Sequence, residues 1–136
     1  MNKDSSRITT EEALKQFNHE TRGKLKIFIG YAPGVGKTYS MLNEGNRRLR
    51  RGQDIVIGYV ESHNREETNS QIGDLEAIPK KKVEYNGLVM EEMDTDAIIA
   101  RKPRTVLVDE LAHTNAPGSK YRKRYEDVEE ILRNGI

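Results

Sequence analysis

The chain has 136 residues, with 23 lysines and arginines against 22 aspartates and glutamates and no cysteine. That length allows one domain at most, and the near-neutral balance argues against a general binder of nucleic acid or acidic membrane. Disulfides and thiolate metal sites are excluded, which fits a reducing cytoplasmic location. No apolar run approaches the roughly 20 residues a bilayer requires, and the N-terminus lacks a hydrophobic signal core, so direct membrane insertion by this segment is not expected.

Residues 1–22 read as a polar tail and a short helix. Thr9 and Glu12 stand at capping-box spacing, and Ala13, Leu14 and Phe17 share one face. Residues 23–136 form the expected domain. It opens with the apolar run Leu25-Lys26-Ile27-Phe28-Ile29, predicted to be a buried strand, which delivers the chain to Gly30-Tyr31-Ala32-Pro33-Gly34-Val35-Gly36-Lys37-Thr38. Such a strand, glycine-rich turn and Gly-Lys-Thr read as a phosphate-binding loop. Backbone N–H groups around Gly34, Val35 and Gly36 curl about phosphate oxygens, Lys37 bridges the β- and γ-phosphates, and Thr38 offers a hydroxyl to Mg²⁺. The Walker A pattern has a glycine where Tyr31 stands, and Gly30 lies one residue too early, although residues 34–38 are intact. The alternative is an ordinary strand–turn–helix junction with an exposed lysine.

The helix after the loop should bury Met41, Leu42, Gly45 and Leu49 and end at Gly52. Its terminal arginines, Arg47, Arg48, Arg50 and Arg51, complement the helix dipole or form a partner patch. Residues 54–60, almost uninterrupted in apolar character, predict a parallel strand covered on both faces. The polar cluster Glu61-Ser62-His63-Asn64-Arg65 follows at its carboxyl end, where ligands gather in α/β sheets. Glu61 is a candidate for orienting water or substrate, or for capping the next helix; His63 has no partner at metal-ligand spacing. Residues 64–78 carry a weak helical face of Ile72, Leu75 and Ile78 broken at Pro79. Residues 82–85 predict a short edge strand closed by Asn86-Gly87. Residues 93–101 predict a helix capped by Asp94 or Thr95, with Ala97, Ile98 and Ile99 inward and Pro103 as its stop.

Thr105-Val106-Leu107-Val108-Asp109-Glu110 is a second buried-strand run, ending in two acids as a Walker B motif does. Asp109 is placed to hold Mg²⁺ through water opposite Thr38, and Glu110 to polarise an attacking water or hydroxyl; strand-terminal acid pairs also serve as helix caps. In the polar loop that follows, His113 and Asn115 are candidates for sensing the γ-phosphate or for plain loop hydrogen bonding. Arg122 and Arg124, in the basic run 120–124, read as surface charge more readily than as phosphate ligands. A last helix over residues 124–134 should bury Val128, Ile131 and Leu132 and end at Gly135.

The loop Ala32-Pro33-Gly34-Val35-Gly36-Lys37-Thr38, the segment Val60-Glu61-Ser62-His63 and the stretch Val108-Asp109-Glu110-Leu111-Ala112-His113-Thr114-Asn115-Ala116-Pro117-Gly118-Ser119 closely resemble the N-terminal cytoplasmic domain of the KdpD family, potassium-responsive sensor histidine kinases. The resemblance runs from about Phe17 to Ile136, and that family shares the displaced first glycine. It implies an ATP-binding regulatory module, with ATP and Mg²⁺ as cofactors, that tunes the kinase/phosphatase balance of a transmitter. Its partners would be the remaining sensor-kinase domains, in a longer chain or a separate subunit. A catalytic ATPase or phosphotransferase with Glu110 as base is the alternative. A nucleic-acid motor is disfavoured by the charge balance and the lack of an aromatic-basic stripe.

The expected fold is α/β and P-loop NTPase-like, with a mostly parallel sheet flanked by helices. An acid directly after Asp109 points to the sheet type in which another strand lies between the P-loop strand and the Walker B strand. That strand would follow Asn134, where the chain is expected to be truncated. Residues 25–29 and 105–108 are therefore expected to be separated by a gap, or closed together in a different arrangement.

Overall fold

The computed structural model describes residues 9–12, 22–28, 36–61 and 65–136. Their elements are α1 (Lys37–Arg50), β1 (Ile55–Tyr59), α2 (Arg65–Ile72), β2 (Glu76–Ala77), β3 (Lys81–Tyr85), β4 (Leu88–Glu92), α3 (Thr95–Arg101), β5 (Thr105–Val108) and α4 (Arg124–Arg133). The described strands form a three-stranded parallel sheet in the order β2-β1-β5, and a separate antiparallel hairpin of β3 and β4.

The sheet is parallel because helices return the chain between its strands, and they cover both faces. Every residue of β1 is buried, as its continuous apolar run requires. Ile55 and Ile57 point to one side, where Met41 and Leu42 of α1 join Leu75 and Leu107. Val56 and Tyr59 belong to the other side, with Ile98 of α3 and Ile131 of α4. Three layers result, with β1 in the middle.

Local signals set most helix ends. Asp94 caps α3, its carboxylate accepting a hydrogen bond from Ala97 N at 3.1 Å. Gly52 and Gly135 take left-handed conformations (φ 84° and 82°) just past α1 and α4, where an L side chain would be strained. The reciprocal bonds between Thr9 and Glu12, 3.1 and 3.3 Å, are the anticipated capping box. Ala13, Leu14 and Phe17 lie outside the described residues.

Four expectations need correction. Residues 24–28 form no strand, and Leu25 and Ile27 are 53% and 59% exposed. A parallel strand exists only through its neighbours' hydrogen bonds, and no ladder reaches this segment. Lys26 instead ties it to Glu44 of α1 at 2.6 Å, and Gly23 N donates to Leu132 O at 2.8 Å. Secondly, the helical reading of residues 64–78 holds only to Ile72. Gly73 turns the chain (φ 57°), and Leu75 and Ile78 are buried as flanks of β2 rather than along a helix. Thirdly, residues 82–85 are half of the β3–β4 hairpin rather than an edge of the sheet; Asn86 and Gly87, both at positive φ, make the tight turn. Finally, Arg124 is fully buried and is not surface charge.

Arg101 fastens the base of the sheet. It donates to both carboxylate oxygens of Asp54, ahead of β1, at 2.8 and 3.1 Å, and to Glu76 of β2 at 3.0 Å. The hydrogen bonds from Arg101 hold the Asp54 carboxyl below its ordinary value. The group's contribution is therefore present above the unfolded pKa of aspartate and is lost as pH falls through the folded value. In an Arg101→Gln protein, an NMR titration should find Asp54 back in the usual carboxylate range. Gly58 supplies a second check: a Cβ there would lie 2.8 Å from both Ile98 Cδ1 and Val106 Cγ2. Gly58→Ala should cost about 1–3 kcal/mol by overpacking, measured by urea unfolding.

Candidate phosphate-binding site

Thr38 and Asp109 are 71 residues apart in sequence, yet Thr38 Oγ1 donates to Asp109 Oδ2 at 3.0 Å. The meeting follows from the fold. Thr38 lies in the first turn of α1, which packs on the sheet through Met41 and Leu42, and Asp109 is the first residue beyond β5. Asp109 is buried, and its carboxylate is heavily engaged. Oδ2 also accepts from Glu61 N at 3.3 Å, and Oδ1 accepts from Glu110 N at 3.0 Å. Carboxyl ends of two parallel strands thus converge on one oxygen-rich point beside a helix N-terminus.

The start of α1 carries no side-chain cap, and Gly36 before it is left-handed with φ 76°. Its first amides are therefore donors of the kind that anions satisfy. Lys37 lines the same cleft as Asp109 and Glu110. Gly34 and Val35 lie outside the described residues, as do Ser62, His63 and Asn64. Among the described residues, no group of three or more histidines or acids is placed to enclose a metal ion. A hydroxyl and a carboxylate at hydrogen-bond distance do suit a hard cation that keeps most of its waters, as Mg²⁺ does.

Glu110 is exposed and has φ 56°, a left-handed conformation that costs a non-glycine residue about 1 kcal/mol or more. His113 N donates to its carbonyl at 3.0 Å, so the tight turn after Asp109 is locked from behind.

The side chains of His113 and Asn115 bond to β4, to α4 and to the loop itself rather than to Lys37, Thr38 or Asp109. His113 Nε2 lies 2.6 Å from Glu92 Oε1, and Asn115 Nδ2 donates to Asp127 Oδ2 at 2.8 Å and to Tyr121 O at 3.0 Å. Thr95 donates to the other oxygen of Asp127 at 3.0 Å. These bonds anchor the loop after Asp109 to α4, α3 and the end of the hairpin. Lys120 adds an ion pair to Glu130 of α4.

Two residues hold this arrangement together: Arg124, which read in sequence as surface charge, and Glu92, which no sequence pattern singled out. Arg124 donates from Nη1 to the carbonyl of Asp109 at 3.1 Å, and its guanidinium stacks 3.7 Å from the centre of the Tyr59 ring. Glu92, also buried, approaches Arg124 Nη2 at 3.8 Å and accepts from Ala116 N at 3.3 Å while holding His113. Tyr59 donates to Glu61 at 2.8 Å, and burial together with that carboxylate pushes its phenol up to about 12. The periodicity held a clue to Arg124: with Val128, Ile131 and Leu132 it completes the four-, seven- and eight-residue spacing of a buried stripe. Its membership in a basic run hid that.

Comparison with known proteins adds a family. The profile described as KdpD, "Osmosensitive K+ channel His kinase sensor domain", matches residues 21–136. The Sensor protein KdpD of Mycobacterium tuberculosis (strain H37Rv) is 55% identical over 115 residues, which is 85% of this chain and 13% of that protein. The Putative sensor protein KdpD of Synechocystis sp. (strain PCC 6803) is 56% identical over 115 residues, 85% of this chain and 31% of the relative. The Sensor protein KdpD of Escherichia coli (strain K12) is 46% identical over 136 residues, covering 100% of this chain and 15% of its own length. The chain thus spans between 13% and 31% of these relatives. A buried aspartate gathering two strand ends and a helix start is, in this chain, the feature of a domain that belongs to the KdpD sensor family.

Proposed function

We propose that this chain is a P-loop NTPase-like, ATP-binding regulatory module of a KdpD-type two-component sensor kinase, working on the cytoplasmic side and taking part in control of potassium transport. The observation that carries the nucleotide reading is the 3.0 Å contact of Thr38 with Asp109 at the uncapped start of α1.

Each residue has a distinct task in this reading. Lys37, lining the cleft, would meet the β- and γ-phosphates as a point charge, and the first amides of α1 after Gly36 would donate to their oxygens. The Thr38 hydroxyl now spends its proton on Asp109. These two would hold Mg²⁺, the hydroxyl as a ligand and the carboxylate as an acceptor for the water the ion keeps. Mg-ATP supplies the charge these groups neutralise. Asp109 is also where binding is felt elsewhere, because its carbonyl is held by Arg124 and its following turn by His113. A shift at this strand tip therefore reaches the loop 110–123, α4 and the hairpin, whose equilibrium would set the kinase/phosphatase balance of the transmitter. His113 and Asn115 take part through those loop contacts.

A second reading, a catalytic ATPase or phosphotransferase, is favoured by one feature: Glu110 is exposed at the cleft in a strained turn directly after Asp109, where a base for water or a hydroxyl belongs.

Lys37→Ala should weaken Mg-ATP binding at least tenfold in calorimetry while the unfolding midpoint stays within about 2 °C. Unchanged affinity would remove Lys37 from the site. The same titration with GTP reads base preference. Asp109→Asn should abolish the Mg²⁺ dependence of whatever binding remains. Phosphate release separates the two readings: a regulatory module turns over negligibly with or without Glu110→Gln, whereas a catalytic one loses about 100-fold or more in that variant.

A further inference from the structure

Glu92 is the last residue of β4, and its buried carboxylate is wanted by more donors than it can hold at once. His113 Nε2 lies 2.6 and 3.0 Å from its two oxygens, and Ala116 N donates to Oε2 at 3.3 Å. The loop after Asp109 is thus fastened to the hairpin through one side chain. Arg124 Nη2 stands 3.8 Å from Oε1, too far for a hydrogen bond. Among the described residues, this Nη2 and the Nε of the same guanidinium are buried without a hydrogen-bond partner. A buried charged donor left unpaired is costly, and the carboxylate able to relieve it sits alongside, held by His113.

We infer that Glu92 is a two-position latch that passes between His113 and Arg124. The guanidinium is pinned, with Nη1 on the Asp109 carbonyl at 3.1 Å and its plane 3.7 Å from the centre of the Tyr59 ring. Glu92 is therefore the part that moves, and a displacement of about 1 Å brings it to Nη2 at charge-assisted bonding distance. In the position seen, residues 113–116 are tied to β4 and Arg124 is underbonded. In the other, Arg124 holds both Asp109 O and Glu92, and the imidazole comes free. The His113 side chain is 35% exposed, so water meets it on release. Each position satisfies a group that the other leaves wanting, which keeps the two close in free energy and leaves no buried carboxylate unpaired in either. Asn115 keeps its bonds to Asp127 and Tyr121 throughout. What opens is the link between loop and hairpin, not the loop's hold on α4. The regulatory use of the latch rests on the nucleotide reading, in which Asp109 meets the ligand's ion; the exchange of partners does not.

The test removes the two partners separately and together, at one pH. In a crystal structure of the His113→Ala protein, Glu92 should have moved onto Arg124, with the Nη2–Oε distance closed to about 2.8 Å. In urea unfolding, His113→Ala should lower the folding equilibrium constant about tenfold more in an Arg124→Met background than in the parent chain, because Glu92 then has neither partner. Simple structural roles for the two residues predict equal losses in both backgrounds, and that result would overturn the inference. Should Arg124→Met fail to fold, the single variant decides: a Glu92 carboxylate that stays 3.8 Å from Nη2 after His113 is gone sinks the latch. None of these measurements involves nucleotide, so their failure leaves the ATP reading standing, and loss of ATP binding on Lys37→Ala says nothing for or against the latch.

Discussion

The carboxylate of Asp109 is the point on which this molecule turns. Buried charge is tolerated only where donors surround it, and here the donors come from three separate parts of the chain: the Thr38 hydroxyl, the Glu61 amide and the adjacent Glu110 amide. Its main-chain carbonyl takes a fourth, from the buried guanidinium of Arg124. Removing the carboxylate would leave the start of α1, the end of β1 and the turn after β5 without a common partner. The same concentration of acceptor oxygen beside free helix amides is what a magnesium-bound phosphate chain would exploit, so architecture and proposed chemistry share one residue.

From that point the structure extends in two directions of different character. Toward α4 and the hairpin the contacts are polar, buried and mutually dependent: Arg124 between Tyr59 and Glu92, Glu92 on His113, Asp127 between Asn115 and Thr95. Such networks favour discrete alternative arrangements over gradual deformation, which is the property the proposed regulatory role asks of the loop 110–123. Toward residues 22–28 the surroundings are apolar and open: Leu25 and Ile27 are exposed there, and among the described residues no strand pairs with the outer edge of β5. Asp109 thus stands between a polar, closely bonded side and an apolar, open one.

The sequence by itself determined the secondary elements whose burial is symmetrical or whose ends carry their own partner. β1 was legible because all its residues are apolar; α1 and α4 because their apolar positions repeat with helical period; α3 because Asp94 caps it from within. It also named the pair Thr38 and Asp109, since a Gly-Lys-Thr turn and a strand-terminal acid each carry a recognisable local pattern. Only the tertiary structure decided what depends on neighbours distant in the chain. Residues 24–28 have the composition of a strand but gain no ladder, so hydrogen bonding overrode propensity. β2 is too short to announce itself and exists because Val56 and Ile57 pair with it. Arg124 looked like surface charge, and Glu92 was marked by no local pattern, because burial of an ion is repaid by partners that no local window contains: the Tyr59 ring, the Asp109 carbonyl and the His113 imidazole meet them only when the chain has folded.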